Sequence, residues 1–525
     1  MDTKFKLSKK AILKKTFQFG GLTFLSRILG IFREMLQIRL LGLKSISDAF
    51  ITAYSIPNSL RKVFAEGALS AASVPTFVKL VKTDGKDRVS RLMSASFLFF
   101  EGIVLILCVL VFLYPRAVIS LIAAGFSEEQ FAYAIPFLRV LFPFIFFISS
   151  SALLAGALQS VNHFFMPAFA PVLMNFFYIS GLGLCLYFKY SLMLLCWGII
   201  IGGAVQFLMH LAFYFYYEFS FGEINKEALK DFKSVLMKFL SCLFAVSVME
   251  INFLIDRRAL SFLGKGSVSI VYYGSAFMRI PLGIFAVGFA TVLLSHLSRV
   301  VTYAPKRLSF YLLEATKLTC WVILPASFFL IFVSEKLFST LMFNGTGTLE
   351  QIFQASRVLM IFSLSLVFFS LAKILTNIFY ALHDTSRPAI ISLCATIVNI
   401  AGNLLSLRYL GDNAIFGIAG STAVYGTILA IMSYAYLYRK HKVTFYLKNF
   451  ASFITRYLFQ ITVLMSLFYF IHSLIFYALQ QTQYYTFFYN RWGYWFIAGP
   501  LILFFILLIF VSKKLFRVKL YFLKR

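Results

Sequence analysis

"SRILGIFREMLQIRLLG" (residues 26–42) is the stretch on which the fold turns. The 525-residue chain is 60% hydrophobic and only 13% charged, more apolar surface than a soluble globule can bury. In such a chain apolar runs of about twenty residues read as membrane-crossing helices. The first run falls at 26–42, yet it carries Arg27, Arg33, Glu34 and Arg39. A charge at the centre of a spanning helix costs about 2.5–3.5 kcal/mol on insertion scales, so these residues must face a bundle interior or water. The reading is an all-α integral membrane protein that encloses a polar interior.

Further apolar segments centre near residues 62, 103, 148, 178, 204, 249, 284, 321, 367, 398, 426, 465 and 503, giving about fourteen transmembrane helices. No segment has the ten-residue alternation of an outer-membrane barrel. With the N-terminus inside, the loops of that side hold 30 Lys and Arg, against seven on the other: Lys44, Arg116, Lys189, Lys265, Lys336, Arg408 and Arg491. That asymmetry predicts both termini cytoplasmic. The net charge of +29 lies in those loops, where it faces anionic headgroups, and forms no continuous basic face for nucleic acid.

The six cysteines (108, 185, 196, 242, 320 and 394) lie within apolar runs, with no C-x-x-C pair. Neither disulfide nor metal chemistry is expected. Nucleotide-loop, G-x-S-x-G and H-E-x-x-H signatures are missing, so no catalytic residue and no cofactor is assigned. The lysine-rich N-terminus lacks a following small-residue cleavage site and reads as the start of an uncleaved first helix.

Three landmarks recur at near-constant offset: Pro57 in "SIPNSL" and Pro281 in "RIPLGI" (224 residues apart), Arg139 and Arg357 (218), Pro167 and Pro388 (221). The chain therefore reads as a duplication. Six helices per half is an even number, so the two lobes share one orientation about an axis along the membrane normal. The expected domains are an N-lobe at 1–217, a cytoplasmic interfacial linker at 218–235, a C-lobe at 236–438, and two further helices with a basic tail at 451–525.

The second helix is also unusual. Pro57 removes a backbone donor in mid-helix, and Asn58, Arg61, Lys62 and Glu66 follow it. Lys62 and Glu66 have the spacing of an i, i+4 ion pair. In the second half, Asp256, Arg257, Arg258 and Arg279 repeat the excess of positive charge. Three arginines spaced by six cannot point to one place from a straight helix, at 100° per residue, and Gly30 is a candidate bend. An arginine-lined cavity between pseudosymmetric lobes suits an anionic substrate, because the guanidinium fork holds phosphate oxygens bidentately.

"SRILGIFRE", "IPNSLRKVFAEGALSAASVP", "GSVSIVYYGSAFMRIPLGIFAVGFATVLLSHLSR" and "FYALHDTSRP" resemble, in order and spacing, the signature segments of the MurJ (MviN) lipid II flippase family. That family belongs to the multidrug/oligosaccharidyl-lipid/polysaccharide exporter superfamily. The resemblance implies two six-helix lobes plus two helices that form a lipid-tail groove. It implies Arg27, Arg33 and Arg61 as cavity arginines, with Glu34, Asp48 and Glu66 on acidic positions. Asn58 and Asp256 join these as candidate cavity residues. The family's second-lobe arginine aligns with Ala276, and Arg279, three residues on, is the candidate substitute.

The implied activity is export of lipid II, an undecaprenyl diphosphate bearing a disaccharide-pentapeptide, across the bacterial cytoplasmic (inner) membrane for cell-wall synthesis. The expected partners are that substrate, membrane lipids and cell-wall synthesis proteins, with the chain a monomer and not an enzyme. An undecaprenyl-linked polysaccharide flippase, an ion-coupled drug exporter and a non-transporting scaffold are the alternatives.

Overall fold

The computed structural model describes residues 9–521 except 288, 290–292, 294–296, 298, 299, 302, 343–346, 383, 385 and 491. For 9–20, 23, 65–67, 244–246, 249, 286, 287, 305 and 490 it describes the backbone alone. All regular structure among the described residues is helical. The chain divides into two compact units, Met1–Ser269 and Ile270–Arg525.

The first unit contains α1 (Lys9–Leu41), α2 (Ser45–Arg61), α3 (Ser70–Thr83), α4 (Lys86–Leu113), a short α5 (Pro115–Ile122), α6 (Glu128–Leu141), α7 (Phe144–Ser160), α8 (Phe165–Phe188), α9 (Leu192–Tyr216), α10 (Lys226–Leu260) and the first turn of α11 (Ser267–Pro281). Its core is aromatic and aliphatic. Phe77 of α3, Phe100 of α4, Leu153 of α7, Tyr214 of α9 and Phe239 of α10 belong to one buried cluster. Phe100 and Phe239 meet edge to face at 4.8 Å, the arrangement ring quadrupoles favour.

The second unit continues α11 and adds α12 (Leu308–Leu341), α13 (Leu349–Ala381), α14 (Ser386–Tyr409), α15 (Ala414–His441), α16 (Leu447–Gln480), α17 (Tyr485–Asn490) and α18 (Gly493–Ser512). The two long C-terminal helices share a core with α12 around Phe329, Phe468 and Phe505. Gln460 ties α16 to α18 through the Ile509 carbonyl at 3.0 Å and the Ser512 hydroxyl at 2.8 Å. The chain after α18 returns to α12, where the Tyr521 N–H donates to Glu314 at 3.0 Å. Glu314 is itself paired with Lys317 at 2.7 Å.

Among the described residues, eleven helical segments are long and apolar enough to cross a membrane by length and composition. Helices also lie where spans near residues 30, 62 and 249 are expected, as α1, α2–α3 and α10. From Lys226 the stretch expected on the membrane surface is continuous with α10, and Arg88 of α4 fixes it through Asp231 at 2.8 Å. Gly30 lies within unbroken helix, so α1 has no interruption there.

Local structure repeats the duplication. α6 begins with a capping box of Ser127 and Gln130, and α13 with one of Thr348 and Gln351. The two caps are 221 residues apart (348 − 127), the offset of Pro167 and Pro388. Each box satisfies orphan donors of a first turn. Pro57 and Pro281 are likewise each followed by a π-helical segment, Lys62–Leu69 and Leu282–Val287. A proline deletes one ladder donor, and a π turn is a common way to accommodate such a break.

Candidate functional site

Arg33 leaves α1 toward α8. Its Nη1 donates to Asn175 Oδ1 at 3.1 Å, its Nη2 to Glu34 Oε1 at 2.7 Å, and its guanidinium stands 4.9 Å from the Tyr178 ring centroid. Asn175 in turn donates to the Ser26 carbonyl at 3.0 Å, and Tyr178 donates to Gln37 at 2.8 Å. A neutral amide, a ring face and one carboxylate therefore hold the arginine in place. Such support fixes the orientation of the planar cation, with Glu34 offsetting its charge.

Arg61 ends α2, where the helix passes into its π-helical segment. Its Nε donates to Asn58 Oδ1 at 3.1 Å, three residues back. Arg33 and Arg61 line one cavity of about 340 Å³, together with Tyr54, Ser151, Gln159, Gln206 and His210. Asn175 and Ser26 reach it as well. No Asp or Glu is among the described residues that line it. The cavity can hold an anion against two guanidinium groups and hydrogen-bond a neutral polar group along the rest of its wall.

The other predicted site residues are placed as follows. Arg27 and Arg39 are half-buried on α1 and outside the lining of this cavity. Asp48 is fully buried, and its carboxylate accepts from the backbone N–H groups of Gly266 and Ser269 at 2.6 and 2.7 Å and from Gln130 Nε2 at 3.2 Å. It caps the first turn of α11, where an anion also meets the positive end of the helix. Lys62 pairs with Glu250 of α10 at 3.1 Å. The side chain of Glu66, its expected partner, lies outside the described residues. Asp256 is buried on α10.

In the second unit, Arg279 is exposed, donates to Ser275 Oγ at 2.6 Å and lies 5.5 Å from the Tyr272 ring centroid. Ala276 is only 7% exposed. The two positions, expected to project from one face, have different surroundings, because three residues turn a helix through 300° and leave them 60° apart.

Sequence reasoning missed Asn175, Tyr178, Gln206 and His210. They fall two to a helix, Asn175 and Tyr178 on α8 and Gln206 and His210 on α9, among apolar residues, a pattern shared with any satisfied core side chains. Only the packing of α8 and α9 marks them.

The helices and this site define a multi-pass membrane protein whose first unit carries an arginine-lined cavity. The family described as "Lipid II flippase MurJ" matches residues 38–494. The chain is 32% identical over 400 residues to the lipid II flippase MurJ of Burkholderia cenocepacia, covering 75% of this chain and 78% of that one. It is 30% identical over 415 residues to the probable lipid II flippase MurJ of Buchnera aphidicola, covering 76% and 79%. A solved structure of the lipid II flippase MurJ in an inward closed conformation superposes with a TM-score of 0.75 at 28% identity, covering 95% of this chain and 98% of the other. An inward-facing multidrug resistance MATE family transporter of the MOP superfamily shares the fold, with a TM-score of 0.66 at 16% identity over 78% and 93%. The chain belongs to the lipid II flippase MurJ family.

Proposed function

We propose that this protein moves lipid II from the cytoplasmic to the outer leaflet of the bacterial inner membrane by alternating access. The observation that carries the reading is the pair Arg33 and Arg61, brought from α1 and α2 to one membrane-embedded cavity whose described lining has no carboxylate. A diphosphate is the anion best matched to two forked cations. Asn58 positions Arg61, and Glu34 tempers the charge of Arg33. Arg27 is a further cation of the pathway and Arg279 a peripheral one whose loss costs little, Glu66 and Asp256 its acids, and Asp48 an anchor for the α11 turn. No covalent step and no cofactor is needed.

Both termini lie in the cytoplasm on this reading, with lobes at 1–217 and 236–438 joined by 218–235. The helices at 451–525 provide an apolar groove for the polyprenyl tail, with the chain acting as a monomer. The inside-negative potential favours outward movement of the anion by about 2.3 kcal/mol per charge per 100 mV. A drug exporter for organic cations calls for carboxylates where this cavity has arginines. Expression in a bacterium depleted of its own lipid II flippase should restore growth. A correctly inserted chain that fails to do so contradicts the proposal.

A further inference from the structure

We infer that the cavity of the first unit has a second binding end, built on His210, which accepts a hydrogen bond from a hydroxyl or amide N–H of the substrate's saccharide-peptide headgroup. This deepens the lipid II reading and rests on it. His210 lies on α9, is 1% exposed and lines the cavity. Its Nδ1 is 2.8 Å from the Gln206 carbonyl oxygen. A carbonyl has no proton to give, so Nδ1 donates and is satisfied within its own helix. Nε2, on the opposite edge of the ring, is buried and has no hydrogen-bond partner. Buried polar atoms are nearly always bonded, so one left over on a residue that lines a cavity calls for a ligand atom.

The kind of atom follows from the surroundings. Two guanidinium groups and no carboxylate are among the described lining residues, so nothing there favours an imidazolium. With the proton on Nδ1, Nε2 is an acceptor and requires a donor. Ionised phosphate oxygens supply none, whereas sugar hydroxyls and amide N–H groups do. Gln159 and Gln206, which line the same cavity, add amide donors and acceptors.

This end lies apart from Arg33. Gln159 and His210 lie near the C-termini of α7 and α9, and Pro167 near the N-terminus of α8. Asn175, which holds Arg33, is eight residues beyond Pro167 along α8, about 12 Å at 1.5 Å per residue. The cavity is thus long enough to take a charged and a neutral part of one headgroup at different depths.

The test compares binding of lipid II and of sugar-free undecaprenyl diphosphate to the purified full chain. His210→Leu should weaken lipid II about tenfold, the cost of one lost buried hydrogen bond, and sugar-free diphosphate less than about twofold. His210→Gln, which can present a carbonyl oxygen near the place of Nε2, should recover most of the lipid II affinity. His210→Asn keeps a donor near Gln206 but ends short of Nε2, and should lose as His210→Leu does. That variant carries the test if the leucine chain does not fold. Arg61→Ala should weaken both ligands. Equal loss of both ligands in the His210 variants, or no loss of lipid II, overturns the inference. Wild-type protein that binds the diphosphate but not lipid II would instead overturn the lipid II reading itself.

Discussion

The stretches around Pro57 and Pro281 occupy corresponding places in the two halves, and both lead into π-helical turns. Their chemistry has diverged. After Pro57, Arg61 reaches a cavity and is steadied by Asn58. Beside Pro281, Arg279 is exposed and bonded to Ser275 of its own helix, while Ala276, where the resemblance leads us to expect the family's arginine, is buried. Duplication has kept the backbone discontinuity and let the electrostatics drift. Such discontinuities recur at functional sites because they re-aim side chains without a loop, and the first half retains that use.

The comparison can be sharpened first at Asp48, whose carboxylate serves the fold. Asp48→Asn replaces one acceptor oxygen with an NH₂ facing backbone donors, and should cost about 2–3 kcal/mol. The check is a fall in the melting temperature of the detergent-solubilised protein. A variant of unchanged stability and lost transport would move Asp48 into the substrate path and blur the contrast between anchoring acids and substrate-facing arginines.

A smaller effect is expected at Arg279. Because it is exposed and held by its own helix, Arg279→Ala should reduce lipid II flipping by no more than about threefold, under 1 kcal/mol. Moving the charge by combining Ala276→Arg with Arg279→Ala buries a guanidinium, and the double variant should lose stability where the single one does not. A dead single variant rescued by the double change would erase the difference drawn between the halves.

Much of the fold is legible in the residues, and the reason is the bilayer. Apolar runs report helices directly, since lipid leaves the backbone few alternatives, and Pro57 and Pro281 mark where π-helical turns follow. α5 is not legible, because eight residues cannot mark themselves as a separate helix. At the site, Arg33 and Arg61 announce themselves through the cost of burying charge. Helical geometry alone could not say which of Arg27, Arg33 and Arg39 would reach the cavity. The supports Asn175 and Tyr178 come from α8, more than a hundred residues away in sequence. Lys62 likewise finds Glu250 across 188 residues, a partner no local spacing suggests.

The most direct test of the central claim, that the Arg33–Arg61 cavity carries the diphosphate, is the rate of lipid II flipping by purified Arg61→Ala protein in vesicles held at a fixed inside-negative potential. Loss of a charged, phosphate-binding side chain should slow flipping at least about a hundredfold, near 3 kcal/mol, in protein that remains folded. Arg61→Lys should recover only part of the rate, because an ammonium cannot make the forked contact. Wild-type flipping by a folded Arg61→Ala chain would contradict the account.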